Sequence, residues 1–294
     1  MVELIRKVRF AVNQQGRALD GRADSGSQGK AGVNGYAGVP AMSGVGFWFE
    51  FEARCRGVPD SRTGYLLDIK VVDRAVREAA VPVVAASCGE LEAGAEQCED
   101  EGRAKTKATE PGSLMPTMVE RLNRLLAGKL TGLLWRLSPY YSVEMSTNDQ
   151  GLVLIRQRFD FAAAHRLHST ALSEAENREF FGKCNNPSGH GHNYQLEPCV
   201  AVRLAADGRQ AFTLADLEHV VDRVILERFD HKHLNVDTEE FGPNGVNPTV
   251  ENIAKVFFGL LAPAVGKGGA KGQSAELRSV TVWETDRTSC VYPG

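Results

Sequence analysis

Two α+β domains in tandem are what this sequence predicts, and three observations carry that expectation. A chain of 294 residues is long for one small domain and comfortable for two. Strand-like and helix-like stretches follow one order in the first half and repeat it in the second. The segment Gly44-Val45-Gly46-Phe47-Trp48-Phe49-Glu50-Phe51-Glu52 also matches Gly189-His190-Gly191-His192-Asn193-Tyr194-Gln195-Leu196-Glu197 position for position. Pro116–Glu120 parallels Pro248–Glu251 with one residue inserted, and Val143-Glu144-Met145 is read against Trp283-Glu284-Thr285. The preferred reading is a tandem duplication, residues 1–150 and 151–294; two α+β patterns alike by chance are the alternative.

Taken in order, Leu4 to Val12 reads as a strand, followed by a polar, Gly-rich stretch from Gln14 to Gly38. Gly44 to Cys55 alternates aromatic and polar residues as a long strand does. After the turn Pro59 to Gly64, Leu67-Asp68 leads into a helix through about Ala79. Gly89 to Ser113, with almost no large apolar residues, is expected to be a flexible surface loop. Pro116-Thr117 opens a helix over Met118 to Ala127, and a strand around Tyr140 to Met145 closes the half. The second half begins with a strand from Leu152 to Ala164, then a polar turn region and the strand from Gly189. A helix from about Leu214 to Phe229, a second over Val250 to Leu261 and a loop at Lys267 to Ser274 follow. The strands Leu277 to Glu284 and Thr288 to Tyr292 end the chain.

Composition removes several classes of function. The chain is 43% hydrophobic and 24% charged, with a net charge of −3, so no basic balance points to nucleic acid and no basic amphipathic run to membrane. Met1 to Asn13 carries Glu3, Arg6, Lys7 and Arg9, unlike a signal peptide or a spanning helix. The six cysteines form no CxxC pair, as expected of a reducing cytoplasm. All seven histidines lie at or after His165, so imidazole chemistry belongs to the second half.

That chemistry centres on Gly189-His190-Gly191-His192. Residues i and i+2 of a strand share a face, so His190 and His192 can offer two imidazoles to one metal ion, and His165 supplies a third. Three neutral imidazoles with an open fourth position are the usual plan of a catalytic zinc site. The other reading is a polar strand with solvated histidines. Asn185, Asn186, Pro187 and Ser188 form a turn that can return Cys184 over the metal face, where a cationic centre favours its thiolate as base or nucleophile. Asp230 beside His231 is either a proton relay or a pair of helix-terminal caps. Glu284 is either a bidentate acceptor for adjacent ring donors or an exposed strand-end acid.

Together Phe161 to Arg166, Cys184 to Tyr194, Asp230 to Asn235, Pro248 to Asn252 and Trp283 to Asp286 resemble 6-pyruvoyl tetrahydropterin synthase. The resemblance covers essentially residues 151–294, whereas residues 1–150 resemble that family only in outline. It implies the tunnelling fold: a four-stranded antiparallel sheet with two helices on one face, here twice, assembled as homo-oligomeric rings. It implies conversion of 7,8-dihydroneopterin triphosphate to 6-pyruvoyl tetrahydropterin with loss of triphosphate. Zinc would sit on His165, His190 and His192, Cys184 would be the general base, and Asp230–His231 would relay protons. Glu284 would anchor the pterin, and Glu251 lies in a family motif near the pocket. Related possibilities are the 6-carboxy tetrahydropterin synthase of queuosine synthesis, a different zinc lyase or hydrolase, and a pterin-binding protein without turnover. The Cys-x5-His-Gly-His spacing leans to the pyruvoyl type. The first half lacks the ligands; it is expected to be a degenerate copy walling its neighbour's pocket, three chains supplying six domains and three zinc sites.

Overall fold

The computed structural model describes residues 1–13, 46–96, 109–268 and 275–294. The Gly-rich stretch at 14–38 lies outside the described residues, as do residues 97–108 and 269–274 of two expected loops. The chain divides into two compact units, Met1–Val153 with Leu204–Gln210, and Leu154–Arg203 with Ala211–Gly294. Among the described residues no helix is long and apolar enough to cross a membrane.

The first unit is a meander of four antiparallel strands, β1 (Val2–Asn13), β2 (Gly46–Gly57), β3 (Leu130–Arg136) and β4 (Tyr141–Ser146), paired in that order. Two helices, α1 (Ile69–Glu96) and α2 (Pro111–Leu125), connect β2 to β3. Alternation decides what each strand buries. Phe51, Ala53 and Cys55 of β2 are fully buried, in one core with Val72, Val76, Met118 and Leu122 of the helices. Phe51 stacks on Phe10 and Trp135 at ring separations of 5.5 and 5.2 Å. Each such side chain contributes about 1.5–3 kcal/mol by leaving water. The intervening acids are neutralised in place: Glu50 meets Arg9 at 2.7 Å and Arg136 at 3.3 Å, and Glu52 meets Arg54 at 3.0 Å. Gln210 belongs here because its side-chain oxygen accepts from the Gly112 N–H (2.9 Å) in the first turn of α2.

Three expectations for this half change. Helix α1 runs to Glu96 through the start of the expected loop, since Ala and Glu are good helix formers. Helix α2 begins at Pro111, with Pro116 inside it rather than opening it. Strand β3 was not anticipated: Leu130–Arg136 is an almost continuous apolar run, too short for its period to identify.

In the second unit β5 (Leu152–Gln157) and β6 (Phe159–His165), separated at Arg158, both pair with β7 (His190–Arg203). β7 pairs on with β9 (Ala275–Thr285), and β9 with β10 (Thr288–Pro293), all antiparallel. The short β8 (Lys232–His233) lies parallel to β6. The core joins Phe161, Tyr194 and Val282 of the sheet to Leu217 and Ile225 and to Ile253 and Phe257 of the helices. The first helical run has three parts: α4 (Leu214–Val221), a π turn at Asp222–Leu226, and α5 (Glu227–Phe229). A capping box at Thr213 and Asp216 starts it. A second capping box, Ser173 and Glu176, starts the unanticipated α3 (Glu174–Phe181). A single turn, α6 (Leu234–Asp237), follows β8, and α7 (Val250–Gly268) extends into the expected Lys267–Ser274 loop.

Candidate active site

Strand register assembles the three histidines. In the β6–β7 ladder His165 lies directly opposite His190, and His192 opposite Ala163. Alternation then puts His165, His190, His192 and Tyr194 on the face that packs toward the helices. One nitrogen from each of the three imidazoles falls within 4.8 Å of the others, a group that could hold a metal ion.

Nε2 of His165 and Nε2 of His190 are 3.1 Å apart. Nδ1 of His165 lies 2.8 Å from the carbonyl oxygen of Pro248, which can only accept, so the proton is on Nδ1 and the Nε2 lone pair faces the cluster. The Tyr194 hydroxyl sits 3.2 Å from the same Nδ1. Burial pushes the His165 pKa down to about 4, opposed by the bond to Pro248 and assisted by the neighbouring imidazoles. Burial and His192 likewise lower the pKa of His190. Neutral imidazoles result, the form that binds metal. Nδ1 of His190 and Nε2 of His192 are buried without a hydrogen-bond partner.

Glu284, near the end of β9, is not an exposed strand-end acid. One carboxylate oxygen lies 3.5 Å from His165 Nε2 and 3.8 Å from His192 Nε2. Cys184 sits half-buried in a 3-10 turn, Gly182–Asn185, with its carbonyl accepting from the Leu167 N–H (2.8 Å). Its sulfur is close enough to help raise the pKa of Tyr194, after burial and Glu284. The chain returns from it through the Gly189 N–H to Asn186 carbonyl bond (2.8 Å).

Gly189 has φ +72°, and a Cβ there would fall 2.5 Å from Nε2 of His233 and 3.0 Å from the His165 carbonyl oxygen. Glycine at 189 thus serves the backbone path and not the approach of a ligand, while Gly191 would have only ordinary contacts.

Asp230 does more than cap a helix. Oδ1 accepts from the Ala162 N–H (2.8 Å) and Oδ2 holds Nδ1 of His231 at 2.9 Å. Burial pushes its pKa up, but these bonds outweigh burial and hold it below the usual carboxylate value. His231 adopts φ 57° and its side chain is 83% exposed. An open cleft of about 470 Å³ is lined by Ala162–Ala164, Gly191, His192, Asn193 and His231–His233, so the pair faces the same space as one histidine of the triad. Glu251 stands apart: it is exposed in the first turn of α7, and its recorded electrostatic neighbour is Cys290.

Sequence reasoning missed Tyr194, Pro248 and His233. Tyr194 was within reach of the same period-2 argument, two residues beyond His192; the other two are long-range contacts.

The first unit has no equivalent cluster among its described residues. With Phe10 opposite Phe49 as Phe161 is opposite Tyr194, Phe47 takes the place of His192 and is 52% exposed. The expected match of Glu144 to Glu284 fails. Phe51 pairs with Trp135 as Leu196 pairs with Val282, so Leu137 corresponds to Glu284. Glu144 lies one strand further on and is held by Arg54.

Comparison with known proteins falls on the second unit. The family model for 6-pyruvoyl tetrahydropterin synthase matches residues 154–294. The 6-pyruvoyl tetrahydrobiopterin synthase of Homo sapiens is 37% identical over 140 residues, 48% of this chain and 90% of the relative. The 6-carboxy-5,6,7,8-tetrahydropterin synthase of Haemophilus influenzae is 26% identical over 157 residues, 47% of this chain and 96% of the relative. The solved 6-pyruvoyl tetrahydropterin synthase of Caenorhabditis elegans is 36% identical with a TM-score of 0.43, covering 49% of this chain and 96% of its own. The chain belongs to the 6-pyruvoyl tetrahydropterin synthase family, with that family's α+β tunnelling fold.

Proposed function

We propose that the second unit converts 7,8-dihydroneopterin triphosphate to 6-pyruvoyl tetrahydropterin, eliminating triphosphate, with zinc on His165, His190 and His192. The observation that carries this is the convergence of three neutral imidazoles on Glu284, in a stretch 37% identical to the human tetrahydrobiopterin synthase. Zinc fits the donors. Tetrahedral coordination with Zn–N near 2.0–2.1 Å spaces its nitrogens by about 3.3 Å, close to the 3.1 Å between His165 and His190. It would also satisfy the orphaned Nε2 of His192. When bound, it supplies a Lewis acid that acidifies carbon-bound hydrogen beside a coordinated hydroxyl.

The chain's own groups do the rest. Glu284 accepts from the ring's N–H and NH₂, fixing the pterin against the triad. Cys184 takes the proton from the side-chain carbon. Asp230, kept ionised, holds Nδ1–H of His231, so that Nε2 can exchange protons across the open cleft. Glu251 is retained only as an outer contact of the pocket.

The first unit we read as a degenerate copy of the second, sharing its order and register without its nitrogens. Three tandem chains would then make one ring with three zinc ions. A cytoplasmic setting fits the five described cysteines, all unbridged. The test is incubation of zinc-loaded protein with 7,8-dihydroneopterin triphosphate, products identified by mass spectrometry, with metal counted per chain. The 6-pyruvoyl product and one zinc per chain are expected. A 6-carboxy product with acetaldehyde would move the activity to the carboxy type, unchanged substrate would leave a binding protein, and two zinc ions per chain would sink the degenerate-copy reading.

A further inference from the structure

Four consecutive residues at the end of β6 are tied down one by one. Nδ1 of His165 donates to the Pro248 carbonyl (2.8 Å). The Arg166 N–H donates to Oδ1 of Asn235 (2.7 Å), and the Arg166 carbonyl accepts from Nδ2 of the same asparagine (3.1 Å). The Leu167 N–H donates to the Cys184 carbonyl (2.8 Å), and the His168 N–H to Oδ1 of Asn247 (3.2 Å). The segment therefore fastens a histidine of the triad to the cysteine turn, to the stretch after Asp230–His231, and to the entry of α7.

One side chain spans the gap between triad and thiol. Nε of Arg166 donates to the backbone oxygen of Asn185 (3.2 Å) and to its Oδ1 (2.9 Å). Asn185 is 4% exposed, and its Oδ1 also lies 3.3 Å from Nδ1 of His168. Arg166 follows His165 in sequence and Asn185 follows Cys184, so this contact fixes the distance between those two neighbours.

We propose that Arg166 is a positioning residue: through Asn185 it holds the Cys184 sulfur at working distance from the three histidines. The proposal rests on the reading of Cys184 as a group that acts beside a bound metal. The histidine nitrogens are set by the β6–β7 ladder and stay in place without Arg166, whereas the cysteine turn has no ladder of its own. The planar guanidinium also keeps its orientation while serving two acceptors, which a lysine ammonium does less well.

The test uses the full chain, zinc-loaded and chelator-stripped, as wild type, Arg166→Ala, Arg166→Lys, Asn185→Ala and the Ala/Ala double variant. Three quantities are read: zinc per chain, the iodoacetamide alkylation rate of the Cys184 peptide by mass spectrometry, and kcat and KM for 7,8-dihydroneopterin triphosphate. Zinc content is expected to stay unchanged throughout. Zinc should alter the wild-type alkylation rate by about tenfold, because a neighbouring cation governs thiolate content, and by under about twofold in Arg166→Ala. With a displacement near 1 Å, kcat should fall on the order of 100-fold while KM moves little. Arg166→Lys should recover part of the loss, and the double variant should be no worse than the single ones. An undiminished response of alkylation to zinc in Arg166→Ala overturns the proposal, as does a wild-type thiol indifferent to zinc. A wild type that shows the zinc response without turnover defeats the proposed activity alone, and the alkylation comparison still decides the role of Arg166.

Discussion

The two units share a plan and differ in what stands at a few positions of it. Each runs a long edge ladder into a central strand, with an aromatic pair across it: Phe10 and Phe49 in the first, Phe161 and Tyr194 in the second. Two residues before the second aromatic comes Phe47 in one unit and His192 in the other. The face that gathers imidazoles in one place thus exposes a phenylalanine in the other. A sheet of this design supplies a register and nothing more; chemistry enters only where the residues at that register can coordinate and titrate.

The comparison can be broken first at the cysteine. Cys184→Ala should lower kcat about a thousandfold, the scale of a lost general base, with zinc content unchanged; activity within tenfold of wild type would remove Cys184 from the chemistry. Acid should separate the units next. In metal-free protein the depressed His165 pKa of about 4 favours the fold fully above the unfolded value of 6.5. That contribution is lost as pH falls from 6.5 toward 4, on the order of 3 kcal/mol. The first unit has no histidine, so hydrogen exchange resolved by segment should show loosening confined to the second unit in this window.

Two glycines sharpen the contrast further. Gly189 and Gly64 have φ of +72° and +74°, but a Cβ at Gly64 meets nothing within 4 Å. Gly64→Ala should cost about 1 kcal/mol of backbone strain and Gly189→Ala about 2–3 kcal/mol, the excess being the clash with His233. Equal midpoint shifts in urea would remove the distinction. Tyr194→Phe should weaken zinc about tenfold in chelator competition by freeing the His165 ring. The smallest change is Phe47→His, which should leave metal at one ion per chain, because one histidine without partners makes no site.

The triad was legible because its logic is local: two histidines at a strand's period, a third at a strand's end. The same is true of the turn that returns Cys184. Asp230–His231 could be named as a pair, but its docking on Ala162 depends on parallel pairing of β8 with β6, which no nearby residue announces. Arg166–Asn185 and His165–Pro248 span 19 and 83 residues and leave no trace in any window. The Glu144–Glu284 match misled for a related reason. With β3 unrecognised, counting strands from the end of each half put the two acids on strands that do not correspond. Only the paired registers place Glu284 opposite the triad's own ladder.

The π turn at Asp222–Leu226 has a consequence for how this chain tolerates length changes. Such a turn carries one more residue than an α-helix needs. Deleting a residue there would let the run from Leu214 to Phe229 close as a regular α-helix. Everything beyond would then rotate by about 100° and shift by about 1.5 Å relative to what precedes it. Phe229 would leave the core, and Asp230 would face away from the Ala162 N–H. One codon removed from a helix that touches no ligand would thus uncouple the relay pair from the cleft, while a substitution at most of those positions would leave it in place.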